Sequence, residues 1–361
     1  MKNTTKLILF LLCVNSYYTI KAQSKNFSSN EDICYCYGAS PLSIVKLDNN
    51  WELLLLLKEI KTIAQIDSLG IEKTNSQLKL LEQWGLISKN EDKTYQTSIK
   101  LFDSIQSQKL RIQSLELSTK LSDIISPKVN ELWHYLKKTG REKNAYSILF
   151  SYVIDGMIWE YLEEKKIINS RELGLDSSFW NGEYWVVYPR REFSCGTNTY
   201  SNGQGYNLKV NWSNGAIPKL IPFMTKAGLL IEIINDLNSN NKVSNQEAIE
   251  VFSKYNFFSG KGELSIPVII KNSENDIFTI SLEIVYLIED FIINNLDLKS
   301  LKHDFGFENN SQAIIVIYHE MMWDILQILE RKRIIEKPLI LRNPENAEIK
   351  DVSDLLFFVK D

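Results

Sequence analysis

Residue types that do chemistry are sparse in this chain. Three histidines occur, His134, His303 and His319, and four cysteines, Cys13, Cys34, Cys36 and Cys195. His319-Glu320 opens like the helix of a zinc protease, but that helix needs a second histidine four residues on, and position 323 is Trp. Cys34 and Cys36 form a tight C-x-C, which could be a redox or metal pair. No second cysteine pair or suitably spaced histidine completes a metal site, so the expected use is a staple between one of them and Cys195. No metal and no other cofactor is expected. Glu160 and Asp324 stand in similar runs, MIWE and MMWD, and could be imagined as the carboxylate pair of a glycan hydrolase. Core helices with an exposed acid explain the same letters. A serine-hydrolase elbow, a phosphate-binding loop and a dinucleotide glycine fingerprint are all missing from the sequence. Cys195 as a nucleophile would need a histidine brought from a distant part of the chain.

Recognition is better provided for than catalysis. Residues 169–223 are dense in aromatics, Asn and Gly, and read as strands and loops. Trp180, Trp185, Tyr188, Tyr200, Tyr206 and Trp212 supply flat apolar faces, and Arg190 and Arg191 supply forked donors. All of these but Tyr206 are taken as the candidate contact residues. Such a surface suits a protein, peptide or glycan of the cell envelope. Alternate aromatics of YWVVY also suit the core face of a strand.

The N-terminus points to that compartment. Lys2 and Lys6 precede an apolar run over residues 7–14, followed by small and polar residues up to Ala22. This is the layout of a secretory signal peptide over residues 1–22, and the run is too short to span a bilayer. The chain is therefore expected to be exported, periplasmic or extracellular. Leu12 before Cys13 argues against lipid attachment there, because a small residue is wanted at that place. Removing the signal leaves 339 of the 361 residues and takes the formal charge from −4 to −7, through loss of Lys2, Lys6 and Lys21. A mildly acidic chain has no overall pull toward nucleic acid. No later segment is apolar for long enough to cross a membrane. The three remaining cysteines allow at most one internal bridge.

The elements that must position any site can be read in order. Residues 23–50 form a polar, turn-rich arm, and 51–60 (WELLLLLKEI) predict a buried helix. A short segment at 63–69 and a turn at Gly70 follow. Thr74 can cap a helix carrying Leu78, Leu81 and Trp84, and Gly85 can stop it in a left-handed conformation. LISKNEDKTYQTSIKLF then reads as two strands around a polar turn. Over residues 51–102 this order resembles a winged helix-turn-helix unit, a superfold that by itself says little about function. The resemblance implies DNA binding only if the second long helix is basic. Lys73 and Lys79 are offset by Glu72 and Glu82, so a DNA-binding regulator wrongly read as exported is a lesser alternative.

A second copy emerges on self-comparison. A shift of about 171 lays Leu78, Leu81, Trp84, Gly85 and Leu86 over Ile249, Phe252, Tyr255, Asn256 and Phe257. A shift of about 167 lays SLELSTKLSDII over SLEIVYLIEDFI, and LEEKKII at 162–168 over LERKRII at 329–335. The change of offset asks for a few residues of length difference in the wing. The expected fold is mainly α with small β elements, as two winged-helix-like halves (51–168 and 224–361) separated by the aromatic insert (169–223). The expected function is an exported binding or protein-interaction protein, with an extracytoplasmic hydrolase of glycan or cell-wall material as the alternative.

Overall fold

The computed structural model describes residues 30–33, 38–102, 104–173, 179–180, 186–189, 195–203, 205–260 and 262–361, with the side chains of 30–33, 104 and 186–189 not described. The signal peptide at 1–22, Cys13, Cys34, Cys36, Trp185, Arg190 and Arg191 lie outside the described residues. The described residues are mainly α-helical with small sheets.

In order, the chain forms β1 (Asn30–Ile33), α1 (Leu42–Val45), α2 (Asn50–Leu56), α3 (Ile63–Ser68), α4 (Asn75–Gln83), β2 (Ile87–Lys89), β3 (Tyr95–Thr97) and β4 (Lys100–Leu101). The 35-residue α5 (Ser104–Lys138) follows, then α6 (Ala145–Ile148), a π-helical stretch (Leu149–Met157), α7 (Ile158–Glu164) and β5 (Val186–Pro189). The rest consists of β6 (Cys195–Tyr200), β7 (Tyr206–Ser213), α8 (Ile217–Met224), α9 (Ala227–Asn240), α10 (Gln246–Ser253) and β8 (Val268–Ile270). It closes with α11 (Asp276–Asn295), α12 (Leu298–Phe305), α13 (Asn310–Arg331), α14 (Leu339–Arg342) and β9 (Leu356–Lys360).

Two compact units result, and each draws on both halves of the sequence. The first comprises Met1–Ile112, Ile168–Arg191 and Asp297–His319, and the second Gln113–Ile167, Glu192–Leu296 and Glu320–Asp361. The candidate insert at 169–223 is thereby divided between them. Its strand β5 joins β1 and β4, whereas β6 and β7 join β9 and β8.

In the first unit, α2 is apolar almost all round because it is buried almost all round: Trp51, Leu53, Leu54 and Leu56 all belong to the core. Thr62 and Thr74 start α3 and α4 with reciprocal capping boxes to Gln65 and Gln77, which satisfy backbone N–H groups that a helix start otherwise leaves bare. Gly85, at φ +66°, stops α4 in the left-handed region. Leu78 and Leu81 of α4, with Leu86, Ile87 and Tyr95 from the hairpin β2–β3, close the core over α2.

In the second unit β7 is central to the sheet order β6-β7-β9-β8, antiparallel to β6 and β9, while β8 runs parallel to β9. Phe223 packs edge to face on Phe252 and Tyr255, with Phe257 tilted against both Phe223 and Phe252. Buried polar side chains thread this core. Ser114 donates to Asp324 Oδ2 at 2.6 Å, and Asn144 Nδ2 donates to the carbonyls of Ser353 and Leu356 at 2.8 and 2.9 Å.

Positions paired by the two offsets share backbone detail. Asn245 caps α10 through the Ala248 N–H, as Thr74 caps α4 through that of Gln77. Asn256 (φ +54°) ends α10 as Gly85 ends α4: Leu86 N–H bonds the Leu81 carbonyl, and Phe257 N–H that of Phe252. Ser98 N–H returns to the Leu86 carbonyl and Ser265 N–H to that of Phe257, so the second wing is four residues shorter. Lys166 and Arg333 are both left-handed, at φ +58° and +57°.

Candidate functional site

The expected contact residues do not come together as a described surface. Trp180 is a core residue: it is 7% exposed, and its indole N–H donates to the Trp84 carbonyl at 2.8 Å. Tyr188 lies in β5 opposite Glu31. Tyr200 and Trp212, both half-buried, lie on the paired strands β6 and β7, where the Trp212 ring covers its cross-strand neighbour Gly196. Cys195 is buried opposite Ser213. His134 and His303 are exposed, and His319 is half-buried. Among the described residues no group of three His, Cys, Asp or Glu is placed to hold a metal ion, and no helix is long and apolar enough to cross a membrane.

The carboxylates imagined as a pair have different surroundings. Asp324 is buried and takes the Ser114 hydroxyl. Glu160 is exposed at the mouth of a cavity in the second unit. That cavity, of about 210 Å³, is built at the carboxyl ends of the parallel strands β8 and β9, where ligands collect in sheets with parallel strands. Lys271 directly follows β8 and Asp361 directly follows β9, and they pair at 2.7 Å. Asn207 and Lys209 enter from β7, whose alternating burial puts Tyr206, Leu208 and Val210 on the core face. Asn207 Nδ2 donates to Asp361 Oδ2 at 3.2 Å.

The opposite wall comes from the π-helical stretch, which contributes Ser151, Tyr152, Gly156 and Met157. A π turn widens the helix by one residue per turn and is common at functional sites. Gly156 permits it here, since a Cβ at this position would stand 2.9 Å from the Ser151 carbonyl oxygen. At the 167 offset the corresponding residues lie within α13, which is regular α-helix.

Two groups in this cavity lack the partners their burial calls for. Tyr152 is 4% exposed, yet its hydroxyl makes no hydrogen bond. Burial, with help from Glu160 and Asp361, pushes its pKa up, so it stays a donor. Lys209 is half-buried, and its ammonium donates to the neutral Thr199 hydroxyl at 3.0 Å. Burial lowers the Lys209 pKa, and Glu160 is the foremost of the charges that oppose the shift.

Sequence reasoning passed over Lys209, Lys271, Tyr152, Asn207 and Asp361. One signal was available: a lysine in mid-strand between the apolar Leu208 and Val210.

The described residues thus define a mainly α protein with two small mixed sheets and a polar cavity beside one of them. The chain matches no protein-family model, and neither a curated protein nor a solved structure is similar to it.

Proposed function

We propose that this chain is an exported binding protein, built from two winged-helix-like halves by internal duplication, that holds a small polar ligand in the cavity lined by Tyr152 and Lys209. The observation that carries the reading is the pairing of an unbonded buried hydroxyl with a half-buried ammonium bonded to a neutral group. Each is costly to leave so in a folded protein, and a ligand offering acceptors relieves both. The duplication is supported by the shared caps, the left-handed stops at Gly85 and Asn256, and the four-residue difference in wing length. Export rests on the signal-like residues 1–22. DNA reading is disfavoured by the hollow before α4, lined by Asp48, Asp67 and Glu72 against Lys73, whose ammonium is bonded to Asp67.

Two measurements test this. N-terminal sequencing of the protein from the cell envelope is expected to begin at Gln23, and retention of Met1 overturns export. Native mass spectrometry of protein purified from its own cells is expected to show a bound small molecule that the Lys209→Met variant lacks. Equal occupancy in the variant moves the site elsewhere.

Hydrolysis of glycan keeps one supporting observation, that Glu160 and Asp361 line the same cavity. Turnover of purified cell-wall glycan, abolished by Glu160→Gln, would establish it over simple binding.

A further inference from the structure

The charges lining the cavity are two of each sign, Lys209 and Lys271 against Glu160 and Asp361. Lys271 and Asp361 neutralise each other in their ion pair. Lys209 and Glu160 do not pair, with each other or with any other described residue, although they line one small space and Glu160 is the leading charge acting on Lys209. Among the lining side chains this leaves one cation, Lys209, and one exposed anion, Glu160, neither of them held in an ion pair. A simple anion would satisfy Lys209 and leave the lining net negative, and a simple cation would do the reverse. Tyr152 adds a second donor. Its ring, with Met157 and Val359, gives the walls apolar surface.

Size restricts the ligand further. The volume of about 210 Å³ lies below the roughly 300–1,000 Å³ of drug-sized pockets and equals about seven waters at ~30 Å³ each. Resting on the reading of this cavity as a ligand site, we infer that its ligand is a small zwitterion of the free α-amino acid class. Its carboxylate accepts from the Lys209 ammonium and the Tyr152 hydroxyl, and its ammonium donates to Glu160. Charge-assisted bonds at both ends set the orientation, and the side chain lies against Met157 and Val359.

Protection of Lys209 from an amine-acylating reagent, read by peptide mass spectrometry on the purified full chain, tests this directly. A mixture of the common L-amino acids is expected to protect Lys209, and single compounds then identify the binder. Taking L-valine as the worked case, isovalerate lacks the ammonium and isobutylamine lacks the carboxylate, and each is expected to bind at least about tenfold more weakly. Glu160→Gln and Tyr152→Phe are each expected to weaken the amino acid by about tenfold while leaving the melting temperature nearly unchanged. Glu160→Gln should leave isovalerate binding no weaker, and strengthen it by removing a like charge, a selectivity that a merely structural role would not produce. If the deaminated analogue of the protecting amino acid binds as tightly as its parent, or if only glucose, succinate or inorganic phosphate protects Lys209, the zwitterion assignment is overturned and the cavity remains a binding site. If no probe protects Lys209, both fall.

Discussion

The two compact units hold their cores together by different means. The first is built on an apolar cluster, and the polar side chains buried among its described residues are neutral, Asn50, Thr94, Ser107, Ser311 and Gln312, with Asn50 satisfied by the Ile44 carbonyl and the Gln77 amide. The second buries Glu320, Asp324, Asp351 and Asp354 with Asn144 and a series of serines. Apolar packing is insensitive to pH, whereas a buried polar network gains specificity only while every member is satisfied. The unit that carries the cavity is the one that accepted this burden.

Truncation in the apolar unit carries the largest expected effect. Leu81, fully buried, is expected to cost about 3 kcal/mol when changed to Ala, seen as lost amide-exchange protection across residues 50–97. An effect under about 1 kcal/mol would mean that this core is loosely packed.

Acidity should separate the units next. Burial raises the Asp354 pKa from 3.8 to about 6, so the folded state holds that proton more tightly than the unfolded state. Stability from this group is then fullest below about pH 4, falls by roughly 2–3 kcal/mol as pH rises to about 6, and is level above. Denaturant melts of Asp354→Asn should lack that fall, and amide protection of the first unit should not follow it.

Asn144→Ala removes both hydrogen bonds to the Ser353 and Leu356 carbonyls, with an expected loss of about 2 kcal/mol confined to the second unit. The smallest effects belong to the helix stops. Gly85→Asn should destabilise by a few tenths of a kcal/mol, because a left-handed position suits Gly slightly better than Asn, and Asn256→Gly should cost up to about 1 kcal/mol, because it removes the Asn256 Nδ2 bond to the Ser353 hydroxyl. A loss of about 2 kcal/mol or more at Gly85 in thermal melts would show that this turn depends on more than its left-handed backbone.

Local structure was readable where one residue type has one physical use. Thr74 as a cap, Gly85 and Asn256 as left-handed stops, and the hairpin around residues 90–94 are all where the letters place them. Trp180 misled because an aromatic among Asn and Gly looks like surface, while its indole N–H is spent on the Trp84 carbonyl in a core. The cavity was unreadable for a different reason. Its walls come from residues 151–160, 199–209, 271 and 359–361, and neither the π register nor strand order leaves a local trace beyond Gly156 and a mid-strand lysine. Windows along a chain cannot sum contacts across two hundred residues.

Those separations also bear on how the chain reaches its folded state. Residues 297–319 complete the first unit, and Ser114 waits for Asp324, 210 positions later. The apolar cluster of the first unit, drawn from residues 45–101 and Trp180, can close early, whereas the second core needs almost the whole chain, which makes its folding slow and late. Under the export proposed above, such lateness keeps the second core open while the chain passes through a membrane as an extended thread.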